Sequence, residues 1–128
     1  MPFRIMIADD EPHIRSALRT IVERHENWTV CGEAVDGIKA IEKAEELQPD
    51  LILLDVSMPN LDGISATPQL REKVPEAGIL ILTLHESLDL ARMAAKAGAW
   101  GFVTKSLAAT DLIPAIEAFQ ASVSAPAK

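Results

Sequence analysis

The chain has 128 residues, with 19 acidic against 12 basic side chains and a formal net charge of −7. That length suits one domain with a proper core, and the acidic balance argues against a surface for nucleic-acid phosphates, which needs a basic patch. A single cysteine, Cys31, excludes an internal disulfide, and no apolar run reaches the length of a membrane span. The start Met1-Pro2-Phe3-Arg4-Ile5 shows no signal-peptide pattern, so a cytoplasmic setting is expected, with protein or cation partners.

Five apolar runs alternate with stretches of helical spacing. Phe3–Ala8 predicts a first strand, and the stripe Ile14, Leu18, Ile21 and Val22 a first helix. Trp28–Cys31 reads as the second strand, with a helix on Ile38, Ile41 and Leu47 after it. Leu51–Leu54 is the third; the helix from about Ile64 to Lys73 contains Pro68, which predicts a late start or a kink. Gly78–Leu82 is the fourth strand, followed by a short stripe of Leu90, Met93, Ala94 and Ala97. Gly101–Val103 is the fifth, and Leu112, Ile116, Phe119 and Val123 mark the last helix. Thr110 as its N-cap would place Pro114 in the first turn.

Most of the strands are continuously apolar, as strands covered on both faces of a parallel sheet are. The alternation implies a single doubly wound α/β sheet of five parallel strands and five helices with right-handed crossovers. The domain should occupy residues 1–121, with the Ala- and Ser-rich stretch 122–128 as a fraying, disordered tail.

The polar residues at the strand ends carry the chemistry. Asp9-Asp10 follow strand one, Asp55 strand three, Thr83 strand four and Lys105 the last strand. Parallel strands gather these side chains on one sheet edge, where ligands of open α/β sheets bind. If the strand order is 2-1-3-4-5, strands one and three flank the reversal, and Asp9, Asp10 and Asp55 converge. Three carboxylates in one crevice repel each other unless a cation sits among them or some are protonated, and Mg²⁺ is the hard ion that suits carboxylates, water and a phosphate oxygen. Adjacent Asp9 and Asp10 cannot point identically, so one would bind directly and the other through water. Asp55 is a competent nucleophile towards a phosphoryl group. The metal, the Lys105 ammonium and the Thr83 hydroxyl would supply the positioning and charge neutralisation that this transfer needs.

Over nearly its whole length the chain resembles the receiver domains of bacterial two-component response regulators. The matching residues are Asp9-Asp10-Glu11-Pro12, Leu53-Leu54-Asp55-Val56-Ser57-Met58-Pro59 with Asp62-Gly63, Leu82-Thr83, and Ala97-Gly98-Ala99 leading to Phe102-Val103-Thr104-Lys105. Asp36-Gly37 and Leu82-Thr83-Leu84-His85-Glu86 look most like the NarL/LuxR-type subgroup. The resemblance implies a CheY-like fold with Asp55 as phospho-acceptor. It implies Mg²⁺ on Asp10, Asp55 and the Ser57 backbone carbonyl, with Asp9 assisting through water. Lys105 and Thr83 would contact the phosphoryl group, and Phe102 would turn inward when Thr83 shifts. The donor would be a phosphohistidine on a sensor histidine kinase or phosphotransfer protein. The face made by the fourth helix, fifth strand and fifth helix would be the output surface, and a candidate homodimer interface. Regulators of that subgroup carry a C-terminal helix-turn-helix domain, so the expectation is a receiver alone or one whose DNA-binding part lies outside this sequence.

The sequence departs from the commoner pattern in a few places. Ser106 stands after Lys105 where most receivers have proline, which bears on whether that peptide bond is cis, and Phe102 replaces a commoner tyrosine. Ser57, the bulky Leu84 and His85 form the rim of the site, where side chains tune access and phosphate lifetime. Elsewhere Trp28 is expected to cap the sheet edge and Cys31 to be a small buried hydrophobe. His13 and His25 read as surface helix residues without metal-ligand spacing, and Trp100 as a turn residue that packs or anchors a partner.

Other classes compete with this reading. A pseudo-receiver scaffold would keep the residues without taking phosphate. A Mg²⁺-dependent aspartyl-phosphate phosphohydrolase would want an acid/base Asp where Ser57 stands. A flavodoxin-like cofactor binder would want a Ser/Thr/Gly-rich loop where the chain has Asp-Asp-Glu-Pro, which repels phosphate. The expected catalytic content is therefore limited to assisting its own phosphorylation and dephosphorylation.

Overall fold

The computed structural model describes residues 2–84 and 87–124. The chain runs β1 (Phe3–Ala8), α1 (Pro12–Glu23), β2 (Trp28–Ala34), α2 (Gly37–Leu47), β3 (Leu51–Asp55), α3 (Gly63–Lys73), β4 (Gly78–Thr83), α4 (Leu88–Ala97), β5 (Gly101–Thr104) and α5 (Ala108–Ser124). A single 3-10 turn, Lys105–Leu107, joins β5 to α5. The strands form one parallel sheet in the order β2-β1-β3-β4-β5.

The pleat explains why the central strands carry no polar alternation. Met6, Ala8, Ile52, Leu54, Ile79 and Ile81 pack into one core with the buried side chains of α2, α3 and α4. Ile5, Ile7, Leu51, Leu53, Leu80 and Leu82 point the other way, against Leu18 and Val22 of α1 and Leu112, Ile116 and Phe119 of α5. Successive residues serve opposite layers, so both must be apolar.

β2 is longer than its apolar run, because edge pairing with β1 continues through Gly32-Glu33-Ala34. The register steps from Ile5 opposite Val30 to Met6 opposite Gly32, so Cys31 is an extra residue in the ladder. Cys31 is half-buried rather than buried, since an edge strand has neighbours on one side only, and burial still pushes its thiol pKa up.

Three helices differ from the sequence expectation. α3 starts at Gly63, with no late start, because the Asp62 carboxylate caps the Ser65 N–H at 2.8 Å. Pro68 then lies inside the helix on its exposed side, where water can serve the carbonyl it leaves unpaired. Thr110 is not an N-cap: α5 begins at Ala108 straight from the 3-10 turn, and the Thr110 hydroxyl donates to the Leu107 carbonyl at 3.1 Å. Pro114 is therefore an interior residue of α5, again on the exposed side. The α2 stripe is shifted too, with Ala40, Ile41 and Ala44 buried and Ile38 exposed. α5 remains helical through Ser124, past the point where the sequence suggests loosening; residues 125–128 lie outside the described residues.

Asp36 caps α2. Its carboxylate accepts from the Lys39 N–H at 2.7 Å and from Asn60 Nδ2 at 2.8 Å, and the Gly37 N–H donates to the Leu61 carbonyl at 3.1 Å. The Lys39 amide, with help from Asn60, holds the Asp36 carboxyl below its ordinary value. Asp36→Ala should therefore cost about 1–2 kcal/mol in urea unfolding at pH 7. The difference from wild type should shrink as pH falls through the lowered Asp36 pKa, because the ionised cap is what stabilises.

Trp28 closes the end of the α1–α5 layer. Its indole N–H donates to Gln120 Oε1 at 2.9 Å, and its ring stacks on His25 with centroids 3.8 Å apart. His25 thus lies beyond α1 and is half-buried against Trp28, not on a helix surface. Trp100 is 45% exposed and meets Phe119 edge-on. No helix among the described residues is long and apolar enough to cross a membrane.

Candidate functional site

The strand ends bring Asp9, Asp10, Asp55, Thr83 and Lys105 to the carboxyl edge of the sheet. β1 and β3 are neighbours at the point where the order reverses, so Asp9 and Asp55 face each other across that crevice. Oxygens of Asp9, Asp10 and Asp55 all lie within 4.8 Å of one another. Asp9 is fully buried and Asp55 is 3% exposed, whereas Asp10 is open to solvent.

Lys105 enters from the 3-10 turn after β5. Its Nζ lies 2.7 Å from Asp9 Oδ2 and 2.9 Å from Asp55 Oδ1. Burial pulls the lysine pKa down, but its close pairing with the Asp9 and Asp55 carboxylates outweighs that and leaves it raised. For Asp55 burial dominates and pushes the carboxyl up; the Asp9 charge adds to this, and the Lys105 hydrogen bond opposes it. The Ser57 N–H donates to Asp55 Oδ1 at 3.3 Å.

The loop after Asp55 closes tightly on it. The Gly63 N–H donates to the Val56 carbonyl, and a Cβ on Gly63 would stand 2.1 Å from the Asp55 carbonyl oxygen. Only glycine permits this approach, so Asp62-Gly63 both caps α3 and backs the Asp55 strand end.

Above the carboxylates an open cleft of about 500 Å³ is lined by Asp10, Glu11, Ile14, Asp55, Val56, Ser57, Thr83, Leu84 and Lys105. Leu84 is 64% exposed at its rim. Phe102 is half-buried and packs with the α2–α3–α4 layer. The Lys105–Ser106 peptide is trans. His85 lies outside the described residues.

A divalent cation fits this donor set. Asp9 Oδ2 is buried and has no aligned hydrogen bond, although it forms an ion pair with Lys105. Three carboxylates and one ammonium leave two negative charges, which one divalent ion would balance. All donors are oxygens, the preference of Mg²⁺.

Sequence reading did not single out Arg15, Glu33 or Asn60. Arg15 Nη1 donates to the Asp9 carbonyl at 2.8 Å, and Glu33 pairs with Arg15 and Arg19. The available signal was Glu33 itself, a carboxylate inside a strand. Asn60, at φ 69°, reaches back from the loop after Asp55 to Asp36.

The sequence profile of the response regulator receiver domain matches residues 5–117. The chain is 43% identical over 117 residues to the transcriptional regulatory protein PdtaR of Mycobacterium tuberculosis, covering 91% of this chain and 56% of PdtaR. It is 36% identical over 115 residues to the nitrate/nitrite response regulator protein NarL of Escherichia coli, covering 90% of this chain and 53% of NarL. Among solved structures it resembles a LuxR-family two-component response regulator from Aurantimonas, with a TM-score of 0.90 and 38% identity over 95% of this chain and 87% of that one.

The chain belongs to the response regulator receiver domain family. It is a phospho-accepting receiver with the acidic pocket Asp9, Asp10 and Asp55 beside Lys105, and its relatives are NarL/LuxR-type regulators. Members of this family are typically signalling switches and not true enzymes. The chain spans little more than half the length of the curated relatives it matches.

Proposed function

We propose that Asp55 is the residue that takes the phosphoryl group, from a phosphohistidine on a sensor histidine kinase or phosphotransfer protein. The observation that carries this is the Lys105 ammonium, shared between Asp9 and Asp55 at the floor of an open cleft. An Asp55 oxygen attacks phosphorus, the P–N bond breaks, and the histidine leaves with its electron pair. Lys105 already sits 2.9 Å from Asp55 Oδ1, where it can pair with the charge of the arriving group. Thr83, at the end of the neighbouring strand, lines the same cleft.

Asp10, Asp55 and the Ser57 carbonyl would hold Mg²⁺, with Asp9 assisting through water. Bound there, Mg²⁺ would neutralise carboxylate and phosphoryl oxygens. Thr83 and Phe102 are the candidate switch pair, and Ser57, Leu84 and His85 the rim residues that set phosphate lifetime. The face of α4, β5 and α5 is the proposed output and homodimer surface, where Leu88 and Met93 are exposed. The acidic charge of this chain assigns any DNA contact to a separate module.

Intact-protein mass after incubation with acetyl phosphate tests the reading. Wild type should gain one phosphoryl group with Mg²⁺ and none without it, and Asp55→Asn should gain none in either condition. Labelling of Asp55→Asn would place the acceptor elsewhere.

A further inference from the structure

Asp9 is held by four contacts. Its N–H donates to the Ala34 carbonyl of β2 at 3.0 Å, and its Oδ1 accepts from the Glu11 N–H at 2.8 Å. Its Oδ2 faces Lys105, and its carbonyl oxygen accepts from Arg15 Nη1 at 2.8 Å. That carbonyl belongs to the peptide joining Asp9 to Asp10. Whatever fixes this peptide plane also fixes the direction in which Asp10 leaves the strand.

Arg15 is itself fixed. Its Nε donates to Glu33 Oε1 at 3.1 Å, while Glu33 Oε2 takes Arg19. The Arg19 hydrogen bond, opposed by burial and aided by Arg15, holds the Glu33 carboxyl below its ordinary value, so it is ionised at neutral pH. One guanidinium thus spans a strand carboxylate and a main-chain oxygen, a fork that lysine cannot reproduce.

We propose that Arg15, gripped by Glu33, is a positioning residue for cation binding, holding the Asp9–Asp10 peptide so that both carboxylates face the pocket. The inference rests on the Mg²⁺ site proposed above. Groups behind the direct ligands orient them, and their loss typically weakens metal affinity about 10–100-fold.

The test titrates MgCl₂ into the 128-residue chain, followed by amide NMR shifts, with thermal unfolding of each metal-free variant alongside. Arg15→Ala should weaken Mg²⁺ binding about 10-fold, and labelling by acetyl phosphate should recover when Mg²⁺ is raised to saturation. Arg15→Lys should restore part of the affinity, since an ammonium can reach the Asp9 carbonyl without gripping Glu33. Arg19→Ala removes the other partner of Glu33 but touches no part of Asp9, and should leave the affinity unchanged. If Arg15→Ala does not fold, Arg15→Lys and Glu33→Gln carry the test, each expected to bind Mg²⁺ measurably more weakly than wild type. Unchanged affinity in the folded Arg15 variants, or an equal loss in Arg19→Ala, overturns the proposal while leaving the site intact. A wild type that binds no Mg²⁺ overturns the site, and the proposal with it.

Discussion

Lys105→Met is expected to destabilise the metal-free protein by about 3–5 kcal/mol, the usual cost of removing one partner from a buried charge cluster. Methionine keeps an unbranched stem of similar reach, so what is lost is the ammonium. Its Nζ lies within 2.9 Å of both Asp9 and Asp55, which are almost wholly buried. Without it two carboxylates face each other with no cation between them. Because folding raises the Lys105 pKa, its contribution is complete below the ordinary lysine value and fades only as pH rises through the raised one. The deficit should therefore be full at pH 7. It should narrow in acid as Asp55 takes up a proton, and in Lys105→Met/Asp55→Asn, where one of the stranded charges is gone. Urea unfolding of the four proteins of this cycle measures it. A deficit below about 1 kcal/mol would mean that water already solvates the cluster.

Asp55→Asn should do the opposite, stabilising the metal-free protein at pH 7. Burial foremost, and then the Asp9 charge, raise the Asp55 pKa against the pull of Lys105. A carboxyl with a raised folded pKa contributes most below its unfolded value of about 3.9 and loses that contribution as pH rises through the folded value. The ionised Asp55 of neutral solution is thus a cost that asparagine removes. The gain should vanish near pH 3–4, roughly where the unfolded carboxyl protonates. Saturating Mg²⁺ should reverse the ranking, since a ligand at 100 times its Kd adds about 2.7 kcal/mol to the form that binds it. Urea melts at the two pH values, with and without MgCl₂, test this. A less stable Asp55→Asn without metal at pH 7 would show that pairing with Lys105 outweighs burial.

The element order and the gathering of the strand-end carboxylates were legible because one physical feature carried both. Runs such as Leu51–Leu54 are apolar at every position, as a strand covered on two faces is, and an aspartate directly after such a run is conspicuous. Capping was less legible. Thr110 has the chemistry of an N-cap, but the helix had already started in the 3-10 turn behind it. Pro68 looks like a breaker until its exposed position is known, and Pro114 like a first-turn residue until the earlier start of α5 is known. Arg15 and Glu33 went unread because they lie 18 residues apart and meet only once β2 pairs with β1. Edge-strand burial also escaped the pattern, so Cys31 was placed too deep.

The additional residue at Cys31 has a consequence for counting along β2. Side chains of a strand alternate between faces, so odd and even positions keep their sides until a residue is inserted. Trp28 and Val30 belong to the α1–α5 layer, and a regular strand would send position 32 to that layer and position 33 to the other. Instead a Cβ on Gly32 would meet Leu47 of α2, on the same side as Cys31, and Glu33 turns back to α1. One unpaired residue thus acts as a parity switch written into the backbone. It decides which helix receives the charge, and the same residues paired one to one with β1, without the bulge, would aim the carboxylate at α2, away from Arg15.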